Sequence, residues 1–239
     1  CWKIEGIVTM RKLLLAAAAG AAMSASSLAY AGTIDVTHYS VPVGLTEEIS
    51  YSGHPGFHED AIAGQIILDT HSTSGNSTVA VWCTDIFNDL ATGNFSQGLL
   101  TTNRDGIGLV LTSTQIGEIG GLINVGDALL SSGHPTAGYT ENEVSAAIQN
   151  AIWEVEIGPD FSFSSSDHKL KGLVNTYVTD ITDGTFALDA DVLQYTDGNY
   201  SQGVSATYTP PPSPVPEPAS ILLLGMGVLG LAAMRRRRA

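Results

Sequence analysis

Two runs in the first half of the chain, AGQIILDT (63–70) and STVAVWCTDIF (77–87), are rich in β-branched and aromatic residues. Between them lies HSTSGN, whose Ser, Asn and Gly favour a reversal, so the pair predicts a β-hairpin. In the second run Val79, Val81, Asp85 and Phe87 alternate with Ala80, Trp82, Thr84 and Ile86, and both faces are largely apolar. That pattern predicts a central strand with Cys83 inside it. The period then changes. LTSTQIGEIGGLINVGDALL (111–130) offers Thr112 or Ser113 as a cap and sets Ile116, Ile119, Leu122 and Ile123 at helical spacing, although its glycines work against a helix. Thr140 with Glu143 three residues on forms a capping box. Behind it Val144, Ala147, Ile148, Ala151, Ile152 and Val155 recur at i, i+3, i+4, i+7, i+8 and i+11, an amphipathic helix. Leu170, Leu173, Val174, Tyr177 and Val178 predict a third helix over 167–181, and FALDADVLQY (186–195) and GVSATY (203–208) return to strand around the turn TDGN.

The second helix carries two residues that its apolar stripe does not explain. At ~100° per residue from Val144, Gln149 falls at ~140° and Trp153 at ~180°, next to each other and away from the polar positions Glu143, Asn150 and Glu154 at ~240 to 280°. Gln149 and Trp153 therefore widen the buried arc, and the helix is expected to lie between two layers with Gln149 against the sheet that holds Cys83. An unpartnered buried amide costs ~1 to 3 kcal/mol, so Gln149 must find a partner there.

The two ends of the chain read as addresses. Residues 1–9 precede Met10, which is followed by Arg11, Lys12, the apolar run LLLAAAAGAAM and the small-residue site Ala29-Tyr30-Ala31. Residues 10–31 are expected to be a signal peptide read by the Sec machinery and cut before Gly32. At the other end, TPPPSPVPEP (209–218) is expected to form a stiff polyproline stalk. It is followed by an apolar segment of 16 residues over 219–234 and an arginine tail over 235–239. The order of Pro216-Glu217-Pro218, apolar segment and Arg235, Arg236, Arg237 and Arg238 resembles the PEP-CTERM sorting signal. That resemblance implies export, temporary anchoring in the inner membrane and processing by an exosortase, leaving the product extracellular or on the cell surface. At ~1.5 Å per residue the apolar segment is ~24 Å long, short of a ~30 Å hydrocarbon core, as suits a removable transmembrane helix. The arginines keep the tail in the cytoplasm and put the preceding domain outside.

Charge narrows the partners of that domain. Between residues 32 and 216 the cations are Arg104, Lys169 and Lys171 against 22 Asp and Glu, so the formal charge is 3 − 22 = −19. Nucleic acid and anionic lipid are poor partners for such a surface. Asp180 with Asp183, and Asp189 with Asp191, are expected in turns rather than around a metal. His54, His58, Glu59 and Asp60 are expected in a surface loop, because a Pro-Gly separates the two histidines and forbids a helical ligand pair. No cofactor is expected, and no acid/base pair or nucleophile motif marks an enzyme.

Past the signal peptide one cysteine remains, Cys83, which excludes an internal disulfide. The pair VWCTDIF and AIQNAIW resembles the thioester domain of bacterial surface adhesins, where a strand cysteine bonds to a helix glutamine. The resemblance implies Cys83 as thiol partner, Gln149 as acyl partner and Trp153 as the supporting aromatic one turn beyond. It further implies covalent capture of an amine on a target. A buried, inert Cys83 with Gln149 bonded to main chain is the alternative use of the same residues. The fold expected is α+β: a β-sandwich or barrel over 32–208 with a mainly helical insertion. The function expected is an exported surface protein attaching to matrix or surface amines, or a non-covalent module for biofilm matrix or exopolysaccharide.

Overall fold

The computed structural model describes residues 32–53, 57–72, 75–101, 110–133, 135–197 and 203–207. The segments expected to be signal peptide, stalk, membrane helix and arginine tail lie outside them, and among the described residues no helix is long and apolar enough to cross a membrane.

The hairpin forms as its composition predicts. Strands β2 (His58–Ser72) and β3 (Gly75–Cys83) pair antiparallel with Ile66 opposite Val81 and Ser72 opposite Gly75. Gly75 has a φ of 120°, a conformation in which a side chain would be strained. β1 (Gly32–Tyr51), which has no counterpart among the sequence expectations, pairs with β2 along most of its length and with β4 (Gly93–Leu99) through its first five residues. β6 (Val192–Thr196) joins β4 to β7 (Val204–Thr207), and β7 closes on the end of β3 at Trp82 and Cys83. Six antiparallel strands thus form a closed barrel in the order β1-β2-β3-β7-β6-β4, and a short β5 (Phe161–Ser164) adds to the far half of β1. The sandwich alternative is set aside. Closure leaves few strand edges to template aggregation.

Helices α1 (Ser113–Ser131), α2 (Glu141–Ile157) and α3 (Leu170–Thr182) fill the chain between β4 and β6, with β5 between the last two. Thr112 and Gln115 exchange side-chain and main-chain bonds at the start of α1, and Thr140 and Glu143 do so at the start of α2, so both helices begin where the capping residues predict. α3 starts at Leu170, three residues later than expected. α2 touches α1 and α3 on one side and β1, β2 and β5 on the other. That is the predicted wedge between layers, and it explains why α2 is apolar over so much of its circumference. Burial of Ile148 and Ile152, both fully enclosed, contributes roughly 1.5 to 3 kcal/mol each.

The glycines of α1 answer a packing demand. A Cβ on Gly120 would sit 1.9 Å from Asp189 O, one on Gly121 2.5 Å from Ala187 O, and one on Gly126 2.6 Å from the Trp82 ring. The main chain at Ala187 to Asp189 runs directly over the helix and bonds it, Asp189 N–H donating to Gly117 O at 2.9 Å. This corrects the strand expected over 186–195. Its first half lies on α1, and β6 begins only at Val192.

Candidate functional site at Cys83 and Gln149

β1 and β2 do not run in unbroken register; their pairing shifts between Ser40 and Val43, at Pro42, which has no N–H to lose from a ladder. Just beyond the shift Gly44 and Gly64 stand opposite each other, so close that a Cβ on Gly64 would lie 2.3 Å from Val43 O. Polar side chains of α2 reach the main chain here. Asn142 Oδ1 accepts from Gly44 N–H at 3.3 Å, while Ser145 Oγ donates to Val43 O at 3.0 Å and accepts from Gln65 N–H at 2.8 Å. Gln149 continues the row at the next turn. Its Oε1 accepts from Cys83 N–H at 3.0 Å and its Nε2 donates to Cys83 O at 2.8 Å. The carboxamide is therefore docked on the main chain of the one residue that sequence reasoning paired with it.

Cys83 is 3% exposed and in no disulfide. It ends β3 rather than lying inside a longer strand, because Asp85 turns the chain: its Oδ1 accepts from Phe87 N–H at 2.9 Å and its Oδ2 from Asn88 Nδ2 at 2.8 Å. The thiol donates to Asp85 O at 3.1 Å, and Asp85 N–H lies 3.5 Å from Sγ. Beside this, Trp82 Nε1 and Gln65 Nε2 both donate to Asp127 Oδ1, at 2.9 and 2.8 Å, which ties α1 to β2 and β3. Burial raises the Asp127 carboxyl above its ordinary value, and bonds from Trp82, Gln65 and Thr207 offset part of the rise.

A cleft of ≈ 510 Å³ reaches this place from the surface. Cys83 and Trp153 line it together with Ile66, Ile86 and Phe87, and the exposed Asp89 is among its acidic residues. Trp153 is 2% exposed, leans on Phe161 at 5.9 Å between centroids, and its Nε1 has no partner among the described residues. Cys83, Gln149 and Trp153 are thus gathered at one level of the barrel wall.

Sequence reasoning misplaced the polar positions of α2. Asn150 is fully buried and Glu143 is 8% exposed, so neither belongs to a solvated stripe. Asn150 Nδ2 donates to Glu47 Oε2 on β1 at 2.6 Å, and Glu47 is itself 2% exposed. Burial, with Asp167 adding like charge, pushes the Glu47 carboxyl up to about 7 although the Asn150 bond lowers it. The signal that could have found Asn150 was the helix being apolar on nearly every side. Elsewhere Asp183 bonds Thr185 and Asp189 bonds Asp191 N–H and Asn124, the turn roles expected of them. His58, Glu59 and Asp60 open β2 instead of lying in a loop, His58 exposed 3.8 Å from Glu48, and His54 lies outside the described residues.

Among known proteins, no curated sequence matches the chain. Two solved structures align with it. The N-terminal thioester domain of a surface protein from Clostridium perfringens is 11% identical, with 68% of this chain and 98% of that one covered at a TM-score of 0.43. The N-terminal thioester domain of fibronectin-binding protein SfbI from Streptococcus pyogenes is 12% identical, with 72% and 100% covered at 0.36. Residues 214–238 match the PEP-CTERM protein-sorting motif, so the chain ends in a signal for exosortase.

Proposed function

We propose that this exported protein joins covalently to an amine of the surrounding matrix or a neighbouring surface through an internal Cys83–Gln149 thioester. One observation carries the reading: the Gln149 carboxamide is held at both ends by the main chain of the residue that bears the buried thiol. In the first step Sγ attacks Gln149 Cδ, the Cδ–Nε2 bond breaks, and the thiol proton leaves with that nitrogen as ammonia. In the second a target amine attacks the same carbon, a C–N bond forms, and the thiolate departs and regains a proton. Neither step needs an oxidant or a cofactor. Negative charge develops on Gln149 Oε1 in both, and Cys83 N–H, already 3.0 Å away, is placed to stabilise it. For the first step the sulfur must exchange Asp85 O for Cδ. The cleft lined by Cys83 and Trp153 is the route for the amine. The protein reacts once and does not turn over.

The test is an intact-mass measurement on the purified full chain and its Cys83→Ala variant. The wild type is expected one ammonia lighter than its sequence, and methylamine is expected to add and restore a higher mass at Gln149. A wild type of full mass, indifferent to methylamine, rejects the bond.

A second reading, non-covalent binding of exopolysaccharide, rests on a separate groove of ≈ 540 Å³ lined by Thr37, Asp69, Thr70, Asn76, Ser77 and Thr78. It expects Cys83→Ala to remain bound to the polysaccharide while Thr37→Val with Asn76→Ala is released.

A further inference from the structure

Glu47 and Asn150 meet with one hydrogen bond and two oxygens left over. Asn150 Nδ2 donates to Glu47 Oε2 at 2.6 Å and also to Ala146 O at 2.9 Å. Ala146 O is a main-chain carbonyl and can only accept, which settles which end of the amide is nitrogen. Glu47 Oε1 and Asn150 Oδ1 then remain, both buried and neither with a partner among the described residues. A carboxylate has no hydrogen to give an amide oxygen. A carboxylic acid has one, and a single proton on Glu47 Oε1 supplies a donor to Asn150 Oδ1 and so provides for both leftover atoms.

We propose that Glu47 is held as a neutral acid whose Oε1–H completes a two-bond pair with Asn150, latching α2 to β1 and so acting as a positioning residue for Gln149. Asn150 follows Gln149 directly, and a shift of one moves the other. The surroundings favour the neutral form. On α2 the facing group is Asn150; ahead of α3, Asp167 acts on Glu47 as a like charge and is itself bonded by Lys169 N–H and by Glu143 of α2. On β1 the neighbouring Glu48 is exposed near His58. Once ionised, Glu47 presents a bare carboxylate oxygen to a buried amide oxygen, the helix loses its second bond to the barrel at this level, and the Gln149 carboxamide loosens on Cys83. The carboxyl is raised from 4.5 to about 7 in the folded protein, so the latch is complete below pH ~4.5 and is lost as pH rises through about 7.

The deciding variant is Glu47→Gln in the full chain, since glutamine offers Asn150 the same two bonds at every pH. The thermal midpoints of wild type and variant are expected to agree near pH ~4, and the variant is expected to melt several degrees higher near pH ~8. Glu47→Ala should melt lower than both throughout. Protection of the Cys83 amide, its exchange rate taken against the intrinsic rate at each pH, is expected to fall about tenfold in the wild type over the same range and to stay level in Glu47→Gln. A Glu47→Gln protein less stable than wild type near pH ~8 overturns the latch, because Glu47 would then be working as a carboxylate. Should that variant not fold, carboxyl NMR of the wild type decides, and an ordinary glutamate titration overturns the proposal. A reactivity consequence rests on the thioester reading: the ratio of methylamine uptake by Glu47→Gln to that by wild type, in which the nucleophile's own titration cancels, rises several-fold with pH. A chain of full mass removes that arm alone, and the melting and exchange results still judge the latch.

Discussion

Gln149 serves a structural purpose whether or not it reacts, and magnitudes can separate the two. Gln149→Ala removes two side-chain bonds to the buried main chain of Cys83, at about 2 to 4 kcal/mol in urea unfolding. Cys83→Ala removes a small apolar group and costs about 1 kcal/mol if the thiol is idle. If the thioester exists, the same substitution also opens a cross-link between positions 66 apart, worth about 4 kcal/mol more in a chain-entropy estimate. A loss of only about 1 kcal/mol would therefore count against the bond independently of mass. Asn142 and Ser145 make the same kind of side-chain bond to the sheet with no thiol nearby. What distinguishes Gln149 is the sulfur on the residue it holds, and sequence reasoning found the pair through that lone cysteine. It did not find Glu47 and Asn150, because a carboxylate and an amide read as solvated until the third dimension encloses them.

The helices were legible where their signals are local. Thr112 and Thr140 cap within three residues of themselves, and Thr140→Ala is expected to cost about 1 kcal/mol in thermal unfolding by freeing the Glu143 N–H. In α1 the helical period and its glycines disagree. The disagreement is resolved by the irregular main chain of Ala187 to Asp189 laid across Gly120 and Gly121, which no local rule contains. Gly120→Ala, a gain in helix propensity of ~1 kcal/mol on its own, is expected instead to destabilise by about 1 to 3 kcal/mol, since its methyl would meet Asp189 O. A more stable variant in urea would show that the Ala187 to Asp189 segment does not pack there. β1 was illegible for a related reason. Its pairing shifts twice, and Pro42 sits at the second shift, so neither alternation nor composition runs true over 20 residues.

Over the molecule as a whole, barrel and address are separable. The address lies in contiguous residues, and the match at 214–238 bears out its reading. Replacing Pro216, Glu217 and Pro218 with alanine is expected to leave an uncut precursor in the membrane fraction, checked by the mass of the C-terminal peptide. Normal trimming of that variant would detach processing from the motif. The exported portion carries a formal charge of −19, so its self-repulsion is expected to relax with salt and its melting temperature to rise between about 20 and 150 mM NaCl. A falling temperature would mean that attractive pairs dominate, yet three cations against 22 acids leave little room for them.

The chain by itself determined everything whose information is local: the β2–β3 hairpin, the capping box of α2, the buried arc of that helix, the sorting motif, and the candidacy of Cys83 with Gln149. Tertiary structure alone decided barrel over sandwich, since closure depends on β7 meeting both β6 and the end of β3 from far along the sequence. It alone decided that Cys83 ends its strand, that main chain covers the α1 glycines, and that Glu47 lies under Asn150. In each case the physical reason is the same: desolvation and contact are properties of what surrounds a residue, and the surroundings are assembled from segments that the linear pattern keeps apart.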